Sequence, residues 1–227
     1  MQNCRLQELG LIEYNAAWQI QKEIFNTAIQ YKLENKELPD AKHTLLICEH
    51  PHVYTMGKSA EMKNLLLNET ELAERNITSY HIERGGDITY HGPGQLVVYP
   101  IFDIEALKIG VKEFVFRVEE CIINTLRFYA IESERIDGRI GIWIGKGSSN
   151  ERKIAAIGIK CSRFITMHGL ALNVNTDLNL FNHIIPCGIA DKSVTSLQNE
   201  IGRSIDIIDV KNRLINEFST TFDVKFI

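Results

Sequence analysis

Five cysteines are spread along the 227 residues, and their surroundings separate one from the other four. Cys187 stands in Ile185-Pro186-Cys187-Gly188-Ile189. Proline brings no amide hydrogen and glycine suits a sharply turning backbone, so the thiol is expected at a turn on the edge of the core. A thiol presented there can serve as a nucleophile if something controls its pKa. Cys48 follows the apolar run Leu45-Leu46-Ile47, Cys121 falls among apolar residues of a helix-like stretch, Cys161 ends a strand-like segment, and Cys4 is near the N-terminus. Free cysteine is among the most buried residue types, and an inert packed thiol is the simpler reading for these.

A thiolate nucleophile needs a neighbour that lowers its pKa or takes its proton. The candidates are His91, His168, His183, Lys153 and Lys160. If 153–160 is extended, strand alternation sets Lys153 with Ala155 and Ile157, and Lys160 with Ala156 and Gly158. The two lysines are then expected on opposite faces of a sheet. Lys153 follows Glu151-Arg152, so it also reads as a solvated hairpin flank. His168 reads equally as a core or turn histidine with its hydrogen bonds met, and His183 as a surface residue. A second concentration of chemistry is Arg84-Gly85-Gly86-Asp87-Ile88-Thr89-Tyr90-His91-Gly92-Pro93-Gly94-Gln95. Its glycines keep backbone amides approachable beside a cation and an imidazole, or simply make two tight turns. It is not a phosphate loop, because the lysine and hydroxyl pair after the second glycine is missing, and it is not G-x-G-x-x-G.

Hydrophobic periodicity places these residues on elements. Residues 14–34 carry Ala17, Ile20, Ile24, Ala28 and Tyr31 at helical spacing, and 111–129 present one broad apolar face. A last helix spans about 206–219. Strands are expected at 44–48, 53–57, 77–83, 87–90, 96–101 and 170–174. The runs 139–144 and 153–159 flank the turn-like Gly145-Lys146-Gly147-Ser148-Ser149-Asn150 and read as a hairpin. Separate helices around such strands imply α+β: a central mixed or antiparallel sheet flanked by helices, in a single domain over 1–227.

Composition is that of an ordinary soluble protein, 44% hydrophobic and 24% charged. The net charge of −4 gives no argument for nucleic acid. No apolar run is long enough to span a membrane, and the N-terminus lacks a signal-peptide core. An odd cysteine count without metal-ligand spacing fits free thiols in a cytoplasmic protein, with no metal expected.

Four stretches together resemble the lipoyl(octanoyl) transferases of lipoate biosynthesis. They are 84–96, Arg152-Lys153-Ile154-Ala155-Ala156-Ile157-Gly158, Met167-His168-Gly169-Leu170-Ala171-Leu172-Asn173-Val174, and 185–189. The resemblance covers roughly residues 40–200. It implies a fold like that of the biotin and lipoate protein ligases. It implies Cys187 as the acyl-thioester nucleophile and Lys153 as the partner that lowers its pKa. It implies substrate contacts at Arg84, Gly85, Gly86, Asp87, Ile88, Thr89, Tyr90 and His91, at Ala156, Ile157 and Gly158, and at Gly169, Leu170 and Ala171. Small residues at the last two stretches suit an alkyl chain, which packs closest where side chains are short. The implied donor is octanoyl-acyl carrier protein. The implied acceptors are lipoyl domains of 2-oxoacid dehydrogenase complexes and the glycine cleavage H protein, with no cofactor. Acidic partners of an acidic enzyme call for a local basic rim, for which Lys58, Arg84, Arg152 and Arg163 are available. Two alternatives share the fold: an ATP-dependent lipoate-protein ligase, and a non-catalytic acyl- or carrier-protein-binding module.

Overall fold

The computed structural model describes residues 1–36, 41–185 and 193–227. Strand β1 (Gln2–Leu11), which no periodicity marks in the sequence, leads into helix α1 (Tyr14–Leu33). Then come β2 (His43–Glu49), β3 (Val53–Met56), the short helix α2 (Glu69–Glu74), β4 (Thr78–His81), β5 (Ile88–His91) and β6 (Gln95–Phe102). Helix α3 (Val111–Phe128) precedes β7 (Glu134–Ile136), β8 (Arg139–Ile144), β9 (Arg152–Ser162) and β10 (Ile165–Asn173). The chain closes with β11 (Ser193–Val194), α4 (Leu197–Ile201), α5 (Ile207–Phe222) and β12 (Val224–Phe226).

The main sheet runs β12-β1-β2-β6-β10-β9-β8-β7, with β11 pairing β9. Its β1 contacts are parallel and its central pairs antiparallel, so it is mixed, as expected. A second, three-stranded sheet has the order β4-β3-β5. The run Leu96-Val97-Val98-Tyr99 is apolar throughout because β6 is buried on both faces. Alternation then divides its residues. Leu96 and Val98 join Leu45, Ile47, Leu170 and Leu172 in the core under α3 and α5, which contribute Phe114, Val118, Ile122, Leu214, Phe218 and Phe222. Val97 and Tyr99 join Leu46, Cys48, Met167 and Ala171 beneath Ala17, Phe25 and Ala28 of α1. Among the described residues no helix is long and apolar enough to cross a membrane.

Two irregularities shape the α1 face. β10 stays paired with β9 along its length, but its ladder with β6 ends at Leu170 opposite Val98. Continuing that register would set His168 against Pro100, which has no amide hydrogen to offer. The Thr166 hydroxyl fills the gap instead, accepting from Phe102 N–H at 2.9 Å and donating to the Pro100 carbonyl at 2.7 Å. His168 takes the left-handed φ of +62°. Regular alternation would give it the face of Leu170 and Leu172; the reversal carries its ring to the α1 side.

The second irregularity is a bulge in β9. Ile142 pairs Ala155 but Trp143 pairs Lys153, so Ile154 is the extra residue. Ile154 and Ala155 both lie in the α3/α5 core. Lys153 therefore emerges on the opposite face, beside Trp143 and on the same side as Ala156, Gly158 and Lys160. The expectation that the two lysines face opposite ways is corrected: the bulge inserts one residue and flips the parity before Lys153.

Candidate active site

A cavity of about 50 Å³ lies on the α1 side of the β9–β10 pair. Ala156, Ile157 and Gly158 line it from β9, and His168, Gly169, Leu170 and Ala171 from β10. Tyr14 of α1, Tyr99 of β6, Thr89 and His91 of β5, and Arg84 complete it. Of the glycine-rich segment, β5 alternation sends Thr89 and His91 to the cavity and buries Ile88 and Tyr90 in the core around Tyr54 and Leu72. Asp87 ties the segment down by accepting from Asn64 Nδ2 at 2.8 Å and from Ile88 N–H at 2.7 Å. Gly86 turns the chain at a φ of +88°, and Gly85 N–H donates to Ile159 O at 3.1 Å, which stitches the turn to β9.

Arg84 is buried, its Nη2 donating to Thr55 O at 2.6 Å and to Thr55 Oγ1 at 3.2 Å. His91 Nδ1 is 2.8 Å from Gln95 Oε1. Gln95 Nε2 donates to Asn173 Oδ1 at 2.9 Å and to Tyr90 O at 3.2 Å, which fixes the amide so that its oxygen faces the imidazole. Nδ1 therefore carries the proton and Nε2 is left as an acceptor, 3.4 Å from Thr55 Oγ1. Burial, then the neighbouring His50, hold His91 down at about 3, so the ring is neutral near pH 7. His50 donates from Nδ1 to Ile12 O at 2.7 Å and accepts the Tyr99 hydroxyl at 2.7 Å through Nε2. Tyr14 stacks on His91 with ring centroids 6.0 Å apart. The lining is thus aromatic and polar but uncharged, apart from Arg84.

Lys153 stands at the β9 bulge, three residues before Ala156 of the cavity lining. Its Nζ lies 4.6 Å from the Trp143 ring centroid and donates to Ile140 O at 3.4 Å. Beside it runs β11: Val194 pairs with Lys153, and Thr195 N–H donates to Lys153 O at 2.9 Å. Cys187 lies outside the described residues. The chain flanking that segment is anchored by Ile185 N–H on Asn64 O at 2.9 Å and by Ser193 pairing with Arg152. The other four cysteines are free, and burial pushes Cys4 up to about 12 and raises Cys48, Cys121 and Cys161. Their thiols stay protonated at neutral pH.

Other expectations need revision. The short side chains do not simply leave a slot. A Cβ at Gly158 would lie 2.8 Å from Arg84 Cδ, so the arginine stem fills that space. A Cβ at Gly169 would meet Val98 O at 2.0 Å and Pro100 Cδ at 2.7 Å. Gly169 therefore allows β6 and β10 to approach closely. Gly169→Ala is expected to lose about 3 kcal/mol of stability, the upper range for overpacking, read as a lower urea midpoint; an unchanged midpoint would show that the strands separate freely. The proposed basic rim also falls short. Arg84 is buried, and Arg152 is paired with Glu200 at 2.7 and 2.5 Å, joining β9 to α4. Tyr14, Tyr99 and His50 were not singled out from sequence. Each sits in a run that reads as ordinary core or as a chain break, and nothing local marks them.

The profile of the lipoyl protein ligase A/B catalytic domain family matches residues 13–219, more than the 40–200 suggested by the motifs. An octanoyltransferase of Bacteroides fragilis (strain YCH46) is 49% identical over 207 residues, covering 91% of this chain and 92% of that protein. An octanoyltransferase of Flavobacterium johnsoniae is 45% identical over 228 residues, covering 98% of each. Among solved structures, a bipartite lipoate protein ligase of Thermoplasma acidophilum superposes with a TM-score of 0.75 at 18% identity, covering 100% of this chain and 86% of that one. A biotin protein ligase of Aquifex aeolicus, with biotin and ATP, superposes with a TM-score of 0.53 at 11% identity, covering 98% and 71%. These structural likenesses bear on the fold.

Proposed function

The chain belongs to the lipoyl protein ligase A/B catalytic domain family, and from that membership we propose that it is an acyltransferase, a lipoyl(octanoyl) transferase. The observation that carries this reading is the 44–49% identity to octanoyltransferases over more than nine-tenths of the chain. In the proposed reaction the Cys187 thiolate attacks the thioester of octanoyl-acyl carrier protein. The carrier thiol leaves with a proton, and the octanoyl group is held on Cys187 as a new thioester. The amine of a lipoyl-domain lysine then attacks that carbonyl, releases the Cys187 thiol and forms an amide. Thioester to amide is downhill, so no ATP is consumed. Lys153 stabilises the thiolate and passes the proton between leaving thiol and attacking amine. Its support is positional: it emerges on the cavity side of β9, and Val194, seven residues after Cys187, pairs with it. Within the cavity, Ala156, Ala171 and the ring of Tyr14 offer apolar surface that suits an alkyl chain.

Incubation with octanoyl-acyl carrier protein in the absence of ATP is expected to add one octanoyl group, seen by intact mass spectrometry and mapped to the Cys187 peptide. Subsequent addition of a lipoyl domain should discharge it. Acylation of a lipoyl domain only when ATP and a free acid are supplied would instead assign the ligase reaction. Acyl binding with no covalent adduct under either condition would assign a non-catalytic module.

A further inference from the structure

At the end of the cavity remote from Lys153 the lining turns polar. Along the β9–β10 pair Ala156 lies opposite Ala171, Gly158 opposite Gly169, and Ile159 opposite His168. His168 is 1% exposed, and neither of its ring nitrogens has a hydrogen-bond partner among the described residues. Beside it, the buried Gln21 accepts the His168 N–H through Oε1 at 3.2 Å, and its side chain also interacts with the Tyr99 hydroxyl. A core histidine present only for packing would have its polar atoms met, as buried polar groups almost always do. Burial, then the cations of Arg84 and Lys160, hold the ring near a pKa of about 3 and so uncharged. One nitrogen is then a donor and the other an acceptor, on a ring that lines a cavity large enough for a few waters.

We propose that His168 is the specificity-determining stop of the acyl cleft. Its ring, hydrated together with Gln21, ends the apolar floor. A longer alkyl tail is rejected because its last methylenes would displace water from polar atoms they cannot bond.

This inference rests on the acyl-transfer reading, and the test separates the two. Transfer rates are measured with octanoyl- and dodecanoyl-acyl carrier protein for the wild type, His168→Gly, His168→Asn and Gln21→Ala, with folding checked by thermal denaturation. Glycine and asparagine both tolerate a positive φ, so the backbone is kept. The dodecanoyl-to-octanoyl rate ratio is expected to rise roughly tenfold in His168→Gly, the scale at which pockets discriminate chain length. It should stay near wild type in His168→Asn, which retains polar atoms. Gln21→Ala should move the ratio in the same direction by a smaller factor, and it keeps the test decisive if the glycine variant unfolds. A ratio unmoved in both His168→Gly and Gln21→Ala would overturn the stop. An equal rise in His168→Asn would show that space, and not hydration, sets the limit. A wild type that transfers neither acyl group would sink the acyl-transfer reading, and the stop with it.

Discussion

Cys187→Ser is expected to leave a folded protein that forms no acyl-enzyme and transfers octanoyl groups roughly a thousandfold or more slowly, the scale seen when a nucleophile is removed. A serine hydroxyl is almost wholly protonated near neutral pH and is a far weaker nucleophile than a thiolate. The other cysteines cannot replace it. Cys4, Cys48 and Cys121 are buried within the core, and burial pushes each thiol well above the neutral range. Cys161 lies on the α3/α5 side of β9, with its thiol also raised by burial. The measurements are intact mass after incubation with octanoyl-acyl carrier protein and the steady-state transfer rate, with circular dichroism to establish folding. Wild-type rates in a folded serine variant would remove Cys187 from the mechanism.

Lys153→Met should cost roughly two to four orders of magnitude in transfer, the range of a lost general acid–base group. It should also move the alkylation of Cys187 by iodoacetamide to higher pH, because a cation beside a thiol favours the thiolate. The sign follows directly: removing the cation raises the thiol pKa, so a given rate of alkylation is reached only at higher pH. Lys160→Met is the control. It shares a face with Lys153, so its expected silence comes from distance: seven residues at roughly 3.3 Å each place it some 20 Å along the strand. There Nζ is paired with Glu83 and lies 5.2 Å from the Phe25 ring centroid. Alkylation rate against pH, with Cys187 followed by peptide mapping, decides the matter. An unshifted profile for Lys153→Met, or an equal shift for Lys160→Met, would assign the proton transfer to a different group.

The elements of this fold could be read from the chain because their causes are local. Apolar spacing of 3.6 residues marked α1, α3 and α5, and continuous or alternating apolar runs marked β2, β6, β8 and β9. Strands β1 and β12 were not legible. β12 pairs only with β1, across more than two hundred residues, β1 is held between it and β2, and their own patterns are mixed. The cysteine worth testing was also visible in sequence, because Pro186 and Gly188 differ so plainly from the neighbours of the other four. So were the motifs that mark the family.

The face presented by each site residue was not visible. Strict alternation would place Lys153 in the α3/α5 core and His168 with it. Both assignments fail at irregularities that belong to a pair of strands and to neither strand alone. The bulge at Ile154 needs a partner that lets the displaced backbone approach. Gly141 supplies it, with a φ of +119° and no Cβ where one would meet Ala155 O at 2.6 Å. The reversal at His168 accompanies the end of the ladder near Pro100, sixty-eight positions earlier in the chain. Sequence alone therefore determined which residues could do the chemistry and which elements carry them. Only strand pairing in three dimensions decided that Lys153, His168 and the rings of Tyr14 and Tyr99 look toward the same side of the sheet, because parity along a strand survives only while its hydrogen-bonded partner keeps register.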